Sequence, residues 1–369
     1  MGRKIEVIPR FFKAPKQSFF LFGPRGTGKS LWARNNLDDP LRIDLLEPDQ
    51  FRHYSNRPEK LSELIGGNPD KKQIVIDEVQ KVPSLLPVVH KLIEENRALQ
   101  FILTGSSARK LKRTGVDLLA GRALLTTLHP FMAAELGEKF ALDRALKQGL
   151  LPLVWASQDP ESVLRTYQGL YLKEEVQLEA LVRDIGRFGR FLEAVSFSHG
   201  AILNMSNVSR ECEVERKTVE GYVEILEDLL LSFRVPVFTK RAKRETATHP
   251  KFYFFDAGVF RSLRPQGPLD RNEEMDGAAL EGLVVQHLRA WNAYRGENNK
   301  LHYWRTRSGV EVDVILYGKD GLWAIEIKNT NKVRPEDLKG LRSFKEDYPE
   351  SKTLLVYRGA EKLKKGDVL

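Results

Sequence analysis

Apolar residues in the first third of the chain come in short unbroken runs. The run Ile74–Ile76 is the clearest example, because polar residues precede it and two acids follow it. Such runs are typical of strands buried on both faces of a parallel sheet. We therefore predict an α/β domain with strands in 18–22, 41–46, 74–76, 101–107 and 123–128, and helices in 30–36 and 84–95.

The pattern changes after residue 137. Apolar spacing typical of helices runs through 138–185, and 188–260 is predicted to hold three helices and then two β-rich runs, 231–240 and 251–260. Residues 263–277 mix proline, glycine and charge, which indicates a linker. The rest of the chain is predicted to form a helix, three strands, a helix and a last strand: 278–292, 301–306, 310–317, 322–328, 335–348 and 352–357.

Composition indicates a globular protein of several domains and a candidate partner. With 369 residues, 41% of them hydrophobic and 30% charged, the chain has enough apolar surface for two or three globular domains. A formal charge of +9 favours an anionic partner such as nucleic acid. Cys212 is the single cysteine, so no internal disulfide can form. The sequence shows no signal-like or membrane-length apolar run, and we expect a cytoplasmic protein without membrane contact.

A complete phosphate-loop pattern, G-x-x-x-x-G-K-S, follows the first predicted strand. Glycines let backbone amides wrap around phosphates, and the next helix presents its positive end to the anion. Lys29 can reach the β- and γ-phosphates, and the Ser30 hydroxyl can ligate Mg²⁺. We predict ATP and Mg²⁺ as cofactors, with an ATP-binding loop of Gly23, Pro24, Arg25, Gly26, Thr27, Gly28, Lys29 and Ser30.

Two acids follow the apolar run 74–76 at the carboxyl end of its strand, where ligands bind in parallel sheets. Asp77 is predicted to hold Mg²⁺, and Glu78 to act as the general base for the attacking water. Thr104 or Ser106, at the end of the next buried strand, is predicted to contact the γ-phosphate. The alternative role of these two side chains is to cap the following helix.

The phosphate loop and the acidic strand end also resemble those of a known family. Residues from about 15 to 137 resemble the core of AAA+ ATPases, and the segments GPRGTGKS, IDEVQKVP and LTGSSARKL resemble one bacterial and archaeal branch of them. The resemblance implies an AAA+ P-loop core in 1–137, a helical lid in 138–186 and a homo-oligomer, with a hexameric ring as the candidate assembly. It also implies that Arg122 senses the γ-phosphate or acts as an arginine finger, with Arg109 and Arg113 as competing candidates.

Three helices followed by two strands are typical of a winged helix-turn-helix, which we predict for 187–262. Arg216 and Lys217 lie near the start of the third helix, where recognition helices meet DNA. The predicted wing adds four cations: Lys240, Arg241, Lys243 and Arg244. We expect these six residues to bind DNA. The alternative is a module that transmits force or packs against its neighbours.

The last predicted domain, 278–369, places four charged residues on its predicted helix and strands: Glu281, Asp313, Glu326 and Lys328. Glu326 and Lys328 are two apart on one strand and so face the same side. Asp313 lies on the neighbouring strand, close enough to share a cation with Glu326. The alternative is a surface hairpin of alternating charge.

This order resembles the PD-(D/E)xK nucleases, in particular archaeal Holliday-junction resolvases and restriction endonucleases, and a C-terminal domain of the DUF4143 kind. The resemblance implies a restriction-endonuclease-like α/β domain in which Asp313 and Glu326 bind Mg²⁺. Lys328 would activate water, and Glu281 would complete the catalytic site.

Together these features predict an ATP-dependent DNA-processing enzyme, in which an ATPase is coupled to DNA binding and to Mg²⁺-dependent cleavage of branched or structured DNA. Two alternatives stay open. One is an ATPase that remodels DNA branches with a nuclease-like domain that does not cut. The other is a regulatory ATPase switched by its nucleotide.

Overall fold

The computed structural model describes residues 7–106, 111, 119–171, 176, 184–240, 249–268 and 270–368. The chain divides into two compact units. The first unit comprises Met1–Phe131 and Glu227–Leu231, and the second comprises Met132–Leu226 and Ser232–Leu369. The domain boundaries that the sequence predicts inside the second unit stay predictions.

A five-stranded parallel sheet organises the first unit. Its order is β2-β3-β4-β1-β5, and every pairing is parallel. The strands are β1 Phe19–Phe22, β2 Leu41–Asp44, β3 Gln73–Asp77, β4 Gln100–Gly105 and β5 Leu124–Thr127. The predicted α/β class and parallel sheet are confirmed. Because the carboxyl ends of β3, β4 and β1 are consecutive along one edge, this edge collects the predicted ATP-site residues.

Apolar side chains of the strands and helices form one core in the first unit, including Phe20, Phe22, Ile76 and Leu103. The helices are α1 Lys29–Asn36, α2 Pro48–Asn56, α3 Lys60–Gly66 and α4 Leu85–Glu95. Helix α4 buries Leu85, Leu86, Val89 and Leu92 on one face, at the spacing of an amphipathic helix.

The second unit begins with short helices, in the region predicted to be helical: α5 Ala133–Leu136, α6 Leu142–Gln148, α7 Pro152–Trp155 and α8 Pro160–Thr166. The next elements are α9 Ile185–Ser196, β6 Ala201–Ile202, α10 Met205–Cys212, α11 Arg216–Asp228, β7 Ser232–Val235 and β8 Lys251–Phe254. The three strands form an antiparallel sheet of order β6-β8-β7. Asn204 caps α10 by accepting hydrogen bonds from the amides of Ser206 and Asn207.

Both predicted β-runs of this region are shorter than expected, and the run 231–240 forms strand β7 only over Ser232–Val235. The run 251–260 forms strand β8 only as far as Phe254, and helix α12 Ala257–Leu263 follows it. The buried Asp256 carboxylate accepts hydrogen bonds from the amides of Gly258 and Val259. This side-chain cap starts a helix in spite of the apolar, β-prone composition.

The last part of the chain has the predicted order of elements: α13 Asn272–Tyr294, β9 Asn299–Arg305, β10 Glu311–Gly318, β11 Gly321–Lys328, α14 Lys339–Asp347 and β12 Lys352–Tyr357. The sheet order is β12-β11-β10-β9, parallel only between β11 and β12. Helix α13 begins within the predicted linker 263–277, because Glu273 and Glu274 stabilise its positive N-terminal end. No helix among the described residues is long and apolar enough to cross a bilayer.

Candidate functional site

The loop after β1 has the backbone that phosphate binding requires. Gly26 and Gly28 have φ values of +84° and +89°, a region that residues with a Cβ rarely occupy. A Cβ at Gly23 would come within 2.4 Å of the Leu128 carbonyl oxygen, so this position also requires glycine. The carbonyl of Gly28 accepts the first hydrogen bond of α1, from Trp32. The loop is therefore joined directly to a helix N-terminus.

Lys29 lies back against this loop. Its side chain is buried with the residue only 6% exposed. Its ammonium donates hydrogen bonds to the carbonyl oxygens of Gly23, at 2.7 Å, and Pro24, at 3.3 Å. Thr27 also donates to the Pro24 oxygen, at 2.8 Å. Ser30 is half-buried beside Lys29. These residues fit a nucleoside triphosphate with Mg²⁺, because one loop provides a cationic side chain, backbone amides and a hydroxyl.

The two acids at the end of β3 are hydrogen-bonded to β4. The buried Thr104 hydroxyl donates a hydrogen bond to the Asp77 carboxylate and accepts one from the Glu78 amide at 3.2 Å. Glu78 has φ of +60°, in the left-handed region. Gln80, which sequence reasoning missed, donates to the Glu78 carboxylate and to the Ser106 hydroxyl at 3.3 Å. The structure thus brings four predicted side chains together, while contact with the γ-phosphate stays a prediction.

Arginines near the first unit have different surroundings. Arg122 is ion-paired with Glu94 of α4, and this contact lowers the pKa of the Glu94 carboxyl. Its role as a finger stays a prediction, and the competing candidates Arg109 and Arg113 lie outside the described residues. Arg10 donates hydrogen bonds to the backbone oxygens of Thr27, at 3.0 Å, and of His129. The N-terminal segment is therefore hydrogen-bonded to the phosphate loop. No sequence motif predicts this contact.

A second cluster of charged residues lies in the second unit. Glu281 comes from α13, Asp313 from β10, and Glu326 and Lys328 from β11. The register of β10 on β9 shifts between Val312 and Ile315, so Asp313 lies where the regular pairing of these strands is interrupted. An Asp313 oxygen accepts a hydrogen bond from the Ile327 amide at 2.9 Å, so Asp313 is bound to the strand that carries Glu326.

The centre of this cluster is Lys251, the first residue of β8, which sequence reasoning missed. Its ammonium lies 2.9 Å from a Glu281 oxygen and 3.3 Å from an Asp313 oxygen, and it also pairs with Glu311. The residue is only 2% exposed. Burial opposes its charge, yet Tyr253 and the surrounding carboxylates raise the pKa of Lys251 well above its usual value. The only signal in the sequence is a lysine that opens an apolar run.

Glu326 and Lys328 form a pair at the edge of the cluster. Their side chains are 2.7 Å apart, and the other Glu326 oxygen is buried without a hydrogen-bond partner among the described residues. Burial, together with the charge of Asp313, raises the pKa of Glu326 to about 8. The same two causes raise the pKa of Glu281 to about 7. The Tyr253 hydroxyl donates to Glu281 at 2.6 Å.

This arrangement does not fit the divalent metal that the nuclease resemblance implies. Where the structure describes the chain, no group of three or more His, Cys, Asp or Glu side chains is arranged to hold a metal ion. The carboxylates of Glu281, Glu311 and Asp313 converge on an ammonium instead. Metal binding by Asp313 and Glu326 stays a prediction, and the position of Lys251 argues against it.

The predicted DNA-binding residues lie on the surface where they are described. Arg216 is exposed and pairs with Glu220 at 3.0 Å, and Lys217 is exposed beside it. Lys240 is exposed and lies 4.2 Å from the centre of the Tyr317 ring. Arg241, Lys243 and Arg244 lie outside the described residues. Binding of DNA by this set stays a prediction.

Three family models match successive parts of the chain. Residues 15–137 match an AAA domain, residues 139–270 match a domain of unknown function (DUF8612), and residues 276–369 match a domain of unknown function (DUF4143). The first match agrees with the resemblance to AAA+ ATPases, and the last agrees with the resemblance to a domain of the DUF4143 kind.

Similar proteins were found both by sequence and by structure. Uncharacterized proteins of Mycobacterium bovis and Mycobacterium tuberculosis are each 26% identical over 358 residues, or 95% of this chain and 78% of each relative. Among solved structures, the replication initiator DnaA bound to AMPPCP and single-stranded DNA has a TM-score of 0.28 at 13% identity. AMPPCP-bound DnaA from Aquifex aeolicus has a TM-score of 0.27 at 12% identity. Each covers 57% of this chain and 82% of its own.

Similarity at these TM-scores carries no argument about this chain, so the assignment depends on the family models and on the phosphate loop itself. Residues 15–137 combine the matched AAA domain with a glycine-rich loop, a buried lysine and two acids at the end of β3. Residues 15–137 therefore belong to the AAA domain family, and residues 276–369 belong to the DUF4143 family.

Proposed function

We propose that the protein hydrolyses ATP in its first unit and uses the cycle to remodel DNA that its second unit binds without cutting. The observation that carries the proposal is the phosphate loop with Lys29 buried against it, beside the Asp77–Thr104–Glu78 contacts. The proposal keeps the ATPase core that the sequence predicts. It treats DNA cleavage only as a second candidate function, because Lys251 lies among the carboxylates that cleavage would need.

Each residue of the ATP site has a role in this proposal. The loop amides and Lys29 bind the phosphates, and Ser30 and Asp77 hold Mg²⁺, which neutralises charge on the phosphate oxygens when bound. Glu78 accepts a proton from the attacking water. Gln80 holds the Glu78 carboxylate and also contacts Ser106 on β4, so it positions the base relative to the next strand end.

The second unit supplies the DNA contacts in this proposal. Its elements α9, β6, α10, α11, β7 and β8 follow the helix and strand order that we assign to a winged helix. Arg216 and Lys217 begin α11, and the exposed Lys240 precedes the basic segment 241–248. The overall charge of +9 supports a polyanion as the partner. We further propose that identical subunits form a ring in which Arg122 reaches a neighbouring ATP site.

ATP turnover is measured by phosphate release with linear, forked and four-way DNA and without DNA. We expect turnover by the wild type, stimulation by at least one DNA form, and loss of turnover in Lys29→Met. Lys91→Met is the matched control, because Lys91 is a surface lysine whose side chain is 70% exposed. Turnover that survives in Lys29→Met would overturn the ATPase proposal, and turnover unchanged by every DNA form would favour a nucleotide-switched regulator.

One feature favours cleavage as a second candidate function. The buried Glu326 oxygen that has no partner in the described part of the chain lies on the strand of Lys328. If the second unit cuts DNA, nicking of supercoiled DNA with Mg²⁺ or Mn²⁺ will be lost in Lys328→Ala and kept in Lys29→Ala. We expect no nicking by any of these proteins.

A further inference from the structure

The carboxylate cluster of the second unit has a cation of its own. Lys251 comes from β8, outside the four-stranded sheet that carries Asp313, and its ammonium reaches the carboxylates from there. The backbone of Lys251 is held between two strands, because it pairs with Ile202 of β6 on one side and Val235 of β7 on the other. The ammonium is therefore placed by the fold rather than by a mobile loop.

Cationic side chains of the protein nearly balance the charges of the carboxylates in this cluster. The acids are Glu281, Glu311, Asp313 and Glu326, and the bases that contact them are Lys251, Lys328 and Arg305. Four carboxylates meet three cations, so the set carries a net charge of −1 when every carboxylate is ionised. A divalent ion would change this charge to +1 and would lie next to the buried Lys251 ammonium, whose repulsion costs free energy.

An ammonium and a bound metal also differ in their distances from carboxylate oxygens. Mg²⁺ needs oxygen ligands at about 2.0–2.1 Å in octahedral geometry. The ammonium lies 2.9 Å from Glu281 and 3.3 Å from Asp313, which are hydrogen-bonded ion-pair distances. The ammonium already occupies one oxygen of each of these carboxylates, and its charge would repel a divalent ion bound beside it.

We propose that Lys251 takes the place of a divalent cation in the carboxylate cluster of Glu281, Glu311 and Asp313, and so excludes metal from it. The cluster is then an internal ionic contact that joins β8, α13 and β10. The inference rests on the proposed function only where it explains why the second unit does not cut DNA, and it does not depend on ATP hydrolysis.

The test is to remove the ammonium and look for a metal site. Binding of Mn²⁺ to the full chain, without nucleotide, is followed by the loss of the free-Mn²⁺ EPR signal. We expect no binding above background in the wild type and one additional bound ion in Lys251→Met, whose side chain is similar in length but uncharged. The double variant Lys251→Met/Asp313→Asn should lose that ion. Lys345→Met, which removes a lysine elsewhere in the second unit, should behave as the wild type.

Two outcomes would overturn the proposal. One is Mn²⁺ binding by the wild type that Asp313→Asn abolishes, and the other is a folded Lys251→Met that gains no ion. If Lys251→Met does not fold, the wild type still decides, because its melting temperature should not change with millimolar Mg²⁺ or Mn²⁺ or with EDTA. ATP turnover of Lys29→Met tests the proposed function separately, so the two failures can be distinguished.

Discussion

Two buried lysines, one in each unit, have different partners. The Lys29 ammonium lies 2.7 and 3.3 Å from carbonyl oxygens of its own loop. The Lys251 ammonium lies 2.9 and 3.3 Å from the carboxylates of Glu281 and Asp313. Exchanging a carbonyl for a phosphate oxygen leaves no ionised group behind, whereas taking Lys251 away would leave buried carboxylates without their counter-ion.

The acids of the two sites differ in the same way. Asp77 accepts a hydrogen bond from the neutral hydroxyl of Thr104, whereas Asp313 accepts from an ammonium. The same residue types therefore form a site prepared for an incoming anion in one unit and a closed ionic cluster in the other. The composition of a cluster does not decide its chemistry, because the charge of each partner does.

The strongest challenge to this comparison is Lys251→Met. It leaves three carboxylates around a buried gap, and we expect the free energy of unfolding to fall by about 3–5 kcal/mol. Urea denaturation followed by tryptophan fluorescence measures the change. The control is Lys345→Met, because the Lys345 side chain is 31% exposed and its nearest acid, Asp367, is 3.7 Å away. That change should cost less than about 1 kcal/mol. Equal losses of unfolding free energy in the two variants would show that the ion pairs of Lys251 contribute no more than a surface ion pair.

Thr104→Val tests the neutral hydroxyl at the other site. The change removes the hydrogen bonds to the Asp77 carboxylate and the Glu78 amide, and we expect kcat for ATP hydrolysis to fall by about 10- to 100-fold. Thr126→Val is a closely matched control, because Thr104 and Thr126 pair with the same residue, Leu21, on opposite sides of β1. If both variants lose the same activity, the Thr104 hydroxyl has no special role.

The pH dependence of stability should distinguish the ionic cluster. In the folded chain the pKa of Glu326 is raised to about 8 from its usual value of 4.5, so the folded state holds a proton that the unfolded state releases. The free energy of unfolding is therefore expected to decrease as pH rises through this window. Between pH 6.5 and 8 the Glu326 contribution is up to about 1.4 kcal/mol per pH unit. Urea titrations of wild type and Glu326→Gln measure it, and parallel pH curves would contradict it.

The smallest expected effect concerns the attachment of the phosphate loop. Arg10→Gln weakens the contacts with the Thr27 and His129 carbonyls, and we expect the Kd for ATP to rise about three- to tenfold. Fluorescent-nucleotide titration measures the affinity. Lys13→Gln, at an exposed position of the same segment, should change it less than about twofold. An unchanged Kd in Arg10→Gln would show that the loop keeps its shape without this arginine.

Local patterns predicted much of the first site. Gly23 to Ser30 and the acids after Ile76 could be located because strand, turn and helix signals lie within a few residues of them. The order of elements also located Glu281, Asp313 and Glu326. Gln80 was missed, since an amide that bridges two strand ends has no signature in a single sequence. The contacts of Arg10 with backbone carbonyls have no signature in the sequence either.

The sequence alone determined where strands, glycine turns and helix starts occur, because backbone preferences depend on neighbouring residues. Only the tertiary structure decided which charges neutralise one another. Lys251 is 30 residues from Glu281 and 62 from Asp313, and these side chains meet only after β8, α13 and β10 have packed. Electrostatic energy depends on distance through space and on burial, and neither can be derived from spacing along the chain.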